Sequence, residues 1–169
     1  TLTGCKHASK HSIGNPYEVL VVCDDQVWEA PAGRALLYAL DTDIPGLPQS
    51  ERSFRISRVT KSHFRGSTKA FRNIIFVDIN GDRYTTNSFK FTRDVFAKPQ
   101  IYMGIQSPSM EEFEKFVTEN SQVIVDFLTR VEIERQIGVL EGKYNEKAFK
   151  KIKEMFGCEL KIPAYLNGY

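Results

Sequence analysis

A chain of 169 residues is long enough for one domain with a real core, and a composition of 41% hydrophobic and 26% charged residues excludes a disordered or fibrous protein. No run approaches the ~20 apolar residues needed to cross a bilayer as a helix. The net charge of +2 is unevenly spread. Arg52 to Arg72 holds seven Lys or Arg and no acid, which leaves 16 basic residues to face 21 acidic ones elsewhere. Such an asymmetry says more about partners than the total does.

The chain opens on Leu2-Thr3-Gly4-Cys5, which resembles the lipobox of bacterial lipoprotein precursors. Small residues fit the narrow site of a signal peptidase, and the cysteine thiol is the nucleophile that takes a diacylglycerol as a thioether. Each buried methylene contributes ~0.8 kcal/mol, so two or three acyl chains anchor stably where one does not. Lys6 to Pro16 carries only Ala8 and Ile13 as apolar residues, and residues 1–16 read as a lipobox remnant with a flexible tether. Cys5, His7 and His11 make a poor metal cluster in such a tether. Cys23 and Cys158 are the remaining cysteines. With no C-x-x-C and no Cys/His pair at zinc spacing, a structural metal is not expected, and a Cys23–Cys158 disulfide stays open.

Tyr17 to Cys23 is a dense apolar run that reads as a central strand. Asp24-Asp25 ends it and caps a helix through Val27, Trp28, Leu36, Leu37 and Leu40, with Pro31 delaying or kinking it. "DTDIPGLPQSE" is a loop. Phe54, Ile56 and Val59 mark a second strand, and Lys61 to Phe71 a short helix. Ile74 to Ile79 is a third strand, turned by Asn80-Gly81 as a hairpin into a fourth through Arg83 to Thr92. Ile101 to Ile105 is a fifth. Ser109 with Glu112 then fits a capping box. Phe113, Phe116, Val117, Ile124, Phe127, Leu128 and Val131 follow at helical spacing, giving one long helix to about Leu140. Asn145 opens a last helix that Gly157 stops. The expected fold is α+β: a mostly antiparallel sheet of about five strands with helices packed on it, including the long helix near the C-terminus, in a single domain over residues 17–169. The final "CELKIPAYLNGY" reads as the start of a further strand, as in the front portion of a longer protein.

Four stretches, "NPYEVLVVCDDQVWEAPAG", "LDTDIPGLPQSERSFRISRV", "FRNIIFVDI" and "RDVFAKPQ", resemble an envelope-lipoprotein family of Bacteroidota-type bacteria known as domain of unknown function 4837. The resemblance runs from about Asn15 into the long helix and, more weakly, to "KIPAY". It implies a lipoprotein longer than this chain. It supplies no activity, and the one residue it carries over is the lipidated Cys5.

Two groups of residues are candidates for a site. Asp24 and Asp25 end the first strand, where α/β enzymes place catalytic acids, and Asp78 on the third strand would complete an acidic metal site. No G-x-S-x-G, H-E-x-x-H or Gly-rich phosphate loop accompanies them, His63 is the one histidine beyond the leader, and Asp25 has a sufficient role as a helix cap. On a helix, Lys61, Arg65, Lys69 and Arg72 would share one face, anchored by Phe64 and Phe71. Arg55 and Arg58 on the preceding strand would add to it from opposite faces. Such a stripe attracts an anionic lipid, a glycan or an acidic protein, or is neutralised by acidic helices. The sequence thus reads as a lipid-anchored, periplasm-facing envelope protein without a cofactor, a non-enzymatic binding or assembly module held to the membrane through Cys5. The alternatives are a nucleic-acid-binding domain using the basic stripe, which envelope placement disfavours, and a metal-dependent hydrolase on Asp24, Asp25 and Asp78.

Overall fold

The computed structural model describes residues 10–41 and 52–164. Strand β1 (Glu18–Val22) is buried along its whole length, as a strand covered on both faces must be. It leads into α1 (Asp25–Glu29) and α2 (Pro31–Leu40), two helices where one was expected, with Pro31 in the first turn of the second. Strand β2 (Arg55–Val59) follows, and two short 3-10 turns, Lys61–His63 and Gly66–Ala70, connect it to β3 (Asn73–Ile79). Then come β4 (Ser88–Arg93), β5 (Ile101–Ser107), α3 (Met110–Glu119), α4 (Ser121–Gly142) and α5 (Glu146–Phe156).

The five strands form one sheet in the order β2-β1-β3-β5-β4. β1 runs parallel to both β2 and β3, and β3 runs parallel to β5; only β4, at the edge, is antiparallel. The α+β class and the five strands stand, but the sheet is mostly parallel and not mostly antiparallel. The reason lies in the connections. Both β1→β2 and β2→β3 cross over a face of the sheet, the first through two helices. Asn80-Gly81 does turn the chain, with Arg83 N–H and Tyr84 N–H donating to Asn80 O. The position beside β3 is taken by β5, however, so β4 pairs with β5 and not with β3.

Alternation along the strands divides the core. Leu20, Val22 and Ile74 face the 3-10 connection, packed with Val59, Phe64, Phe71, Phe76 and Tyr102. Val19, Val21, Ile75, Val77, Met103 and Ile105 are buried on the opposite parity, the helical side, where Phe89 meets Phe116 and Phe91 meets Phe127. The long helix expected from Ser109 to Leu140 is broken at Asn120, whose side chain donates to Phe116 O. Ser109 caps α3 by accepting from Glu112 N, while the Glu112 carboxylate accepts from Asn87 instead of closing the box.

The chain groups into two compact units, Thr1–Leu128 and Thr129–Tyr169, with the division inside α4. In the second unit Asn145 caps α5 by accepting from Ala148 N, and Gly157 ends that helix at φ +65°. Tyr144 bridges Pro163, so the "KIPA" segment folds back beside residues 143–145. The tether expected over residues 1–16 is part of the fold from Lys10 on: Lys98 N–H donates to Lys10 O, Ser12 N–H to Lys98 O and Arg72 N–H to Ile13 O. Cys5, and nearly all of the "DTDIPGLPQSE" loop, lie outside the described residues.

Candidate functional site at the carboxyl edge of the sheet

In a parallel sheet, ligands bind in the crevice beyond the carboxyl ends of two neighbouring strands whose connections run to opposite sides. Here β1 connects to β2 on one side, and β3 lies on the other. The carboxyl ends of β1 and β3 therefore frame that crevice. Charged residues of β1, β2 and β3, or just after them, gather there.

Lys61, one residue beyond β2 and its following Thr60, reaches Asp78 Oδ1 at 3.1 Å and Asp24 Oδ2 at 3.7 Å, and lies 5.6 Å from the centre of the Phe76 ring. Asp78 also accepts from Tyr84 Oη at 2.6 Å and pairs with Arg83 at 3.5 Å. Register sets Asp78 opposite Gln106 on β5, whose amide donates to Tyr84 Oη. Burial works against the Asp78 charge, but the hydrogen bonds from Tyr84 and Lys61 and the charges of Lys61 and Arg83 outweigh it and hold the carboxyl below the ordinary carboxylate value. The bond to Asp78, with burial, in turn raises the Tyr84 phenol.

Asp25 does not act through its side chain as a helix cap. It receives Arg58 at 2.6 Å, and that guanidinium also lies 5.6 Å from the centre of the half-buried Trp28 ring. Cys23, on the same stretch, is 1% exposed. Burial pushes its thiol up to about 11, with the nearby Arg58 charge only partly opposing, so it is a packed side chain and not a thiolate. Cys23 and Cys158 are both free thiols. His63 Nδ1 is held by Thr60 Oγ1 at 2.7 Å.

The acids expected to form a metal site thus come near one another, but Lys61 stands between Asp24 and Asp78 and Asp25 turns to Arg58. No group of three His, Cys, Asp or Glu suited to a metal occurs among the described residues. The arrangement is one of paired opposite charges: Asp24, Asp25 and Asp78 against Lys61, Arg58 and Arg83. Sequence reasoning missed Arg58, Arg83, Tyr84 and Gln106 as neighbours. Only the register of β3 with β5 and the turn after β3 bring the last three together.

The basic stripe does not form as expected. A single helix over Lys61–Phe71 is replaced by two 3-10 turns, separated by Phe64 and Arg65 and with Gly66 at φ +60°. Spacing at i, i+4, i+8 and i+11 therefore no longer makes one face. Lys61 stands at the carboxyl edge. Arg65 is exposed just before the second turn, while Lys69 and Arg72 lie at the amino edge, where β3 begins. Phe64 and Phe71 do pack onto the sheet. A concavity of about 740 Å³, beside β2, is lined by Trp28, Leu37, Phe54 and Arg55 among others, and its Arg52 pairs with Asp41 at 3.1 Å.

The family of domain of unknown function DUF8532 matches residues 12–141, most of the chain, and the chain belongs to it. This finding overturns the resemblance to domain of unknown function 4837. The match covers the whole sheet and runs nearly to the end of α4, and leaves Cys5 outside. No curated protein and no solved structure matches the chain.

Proposed function

We propose that this member of the DUF8532 family is a non-enzymatic binding module displayed at a membrane of the cell envelope, periplasm-facing, and held there by lipid on Cys5. The observation that carries the binding role is the self-paired cluster at the switch point. Its three carboxylates are neutralised by cations, and its one thiol is buried and protonated, so it offers neither general base nor nucleophile. What it offers is a preformed set of hydrogen-bond donors, Lys61, Arg83 and Tyr84, that an acidic group of a partner can engage by exchanging with Asp78. Anchoring is supported by Leu2-Thr3-Gly4-Cys5, and no helix among the described residues is long and apolar enough to cross a membrane.

The test is metabolic labelling with a clickable fatty acid in cells expressing the complete gene or its Cys5→Ser variant, followed by membrane fractionation. Label on the wild type alone, in the membrane fraction, is expected. Absence of label from both proteins, with both in the soluble fraction, would overturn the anchored reading.

A further inference from the structure

The edge of the sheet opposite the charged cluster carries a different kind of surface. Lys10 and Lys98 are exposed and joined through the backbone, Lys98 N–H donating to Lys10 O at 2.9 Å. Beside them the loop between β4 and β5 exposes Val95 at 43% and Phe96 at 38%. Lys69 Nζ lies 5.1 Å from the centre of the Phe96 ring. None of the three lysines is in an ion pair among the described residues, and the acid of the loop, Asp94, accepts from Gln100 N–H through Oδ1. The loop is fixed in place. The Gln100 amide, 1% exposed, donates to Lys69 O and Phe71 O at 2.7 Å each, and Gln100 Oε1 accepts from Phe96 N–H at 2.8 Å. Cations around two presented apolar side chains suit an interface where headgroups are anionic and the first acyl carbons lie just beneath.

We propose that this amino edge, through Lys10, Lys69, Lys98, Val95 and Phe96, is the surface on which the domain lies against an anionic bilayer. The inference rests on the reading that Cys5 carries lipid, since Cys5 precedes Lys10 by five residues and five residues span at most ~18 Å. A lipid on Cys5 therefore keeps this edge, rather than the carboxyl edge, next to the headgroups. The occupant is the bilayer that holds the anchor, and the charge complementarity is between the lysines and its acidic lipids.

The test uses the chain with Cys5→Ser, which removes the anchor and leaves only the surface. Its sedimentation with phosphatidylcholine vesicles is compared with and without phosphatidylglycerol, at low salt. The expected result is partition onto the phosphatidylglycerol vesicles alone. At roughly fivefold per lysine, the double reversal Lys10→Glu/Lys98→Glu lowers that partition by about 25-fold or more, and Val95→Ser lowers it further. Melting curves check that each variant is folded; all three sites are exposed. Equal partition onto both vesicles, or none onto either, would overturn the proposal. So would binding that survives the double reversal but is lost with Lys150→Glu/Lys151→Glu in α5. Fatty-acid labelling reads the anchor separately, so a labelled protein whose anchorless form ignores phosphatidylglycerol fails this inference and not the anchoring.

Discussion

Gln100 shows how much one buried amide can organise. Its side chain satisfies Lys69 O, Phe71 O and Phe96 N–H, while its backbone exchanges hydrogen bonds with Asp94. Replacing it with leucine keeps the volume and strips all three side-chain bonds, leaving polar groups under apolar cover. Gln100→Leu should cost on the order of 2–4 kcal/mol in chemical denaturation. A loss below a few tenths of a kcal/mol would mean that water takes over these bonds. Asp78 has a sign that can be worked out. Its folded-state value is below the ordinary 3.8, so its contribution to stability is complete above that value and is lost as pH falls through the lower one. Asp78→Asn should destabilise by about 1–2 kcal/mol at pH 7, because Lys61 and Arg83 lose their shared counter-charge. The gap between variant and wild type should close below the ordinary carboxylate range. Parallel melting-temperature curves down to acid pH would contradict this pairing.

At the level of elements, the tightest constraint is Gly33 in α2. A Cβ there would overlap the backbone carbonyl oxygens of Val27 and Trp28, because α1 and α2 meet almost without side chains between them. Gly33→Ala should therefore destabilise by about 1–3 kcal/mol even though alanine is the better helix former, and a thermal melt decides the sign. A stabilised variant would mean that the corner opens at little cost. Removing the α3 cap with Ser109→Ala should cost about 1 kcal/mol by the same measurement, since Glu112 N–H then lacks its acceptor. That cap, the α5 boundaries at Asn145 and Gly157, and the positions of β1, β2, β3 and β5 were legible because each depends on local chemistry or on a short apolar run. Strand direction was not. Asn80-Gly81 specifies a turn, and which strand fills the place beside β3 is decided by packing far along the chain. The basic stripe failed for a similar reason. Periodicity over Lys61–Arg72 fits a helix, but aromatic packing of Phe64 against Phe76, Phe96 and Tyr102 holds that connection as two separate turns. The charged cluster was half legible. Asp24, Asp25 and Asp78 could be placed at strand ends, while Arg58 and Lys61 come from a parallel neighbour that sequence spacing does not reveal and Arg83 from the turn after β3.

Across the first unit as a whole, the two surfaces lie at opposite ends of the strands. β1, β3 and β5 begin at the lysine-bearing edge and end at the charged cluster, and seven residues of strand separate the two by ~20 Å. A domain lying on its amino edge would hold Lys61, Arg83 and Tyr84 away from the bilayer, open to a partner. This arrangement predicts a response at one of two exposed positions and none at the other: Val95 in the β4–β5 loop and Asp82 in the turn after β3. With Cys5→Ser and Cys158→Ser removing the other accessible thiols, Val95→Cys and Asp82→Cys would each be reacted with a charged maleimide. Phosphatidylglycerol vesicles should slow the reaction at position 95 severalfold and leave position 82 unchanged. The buried Cys23 should stay silent in both, since its thiol is protonated as well as covered. Protection at position 82 instead would turn the domain over, setting the charged cluster against the lipid and making the headgroups its acidic partner.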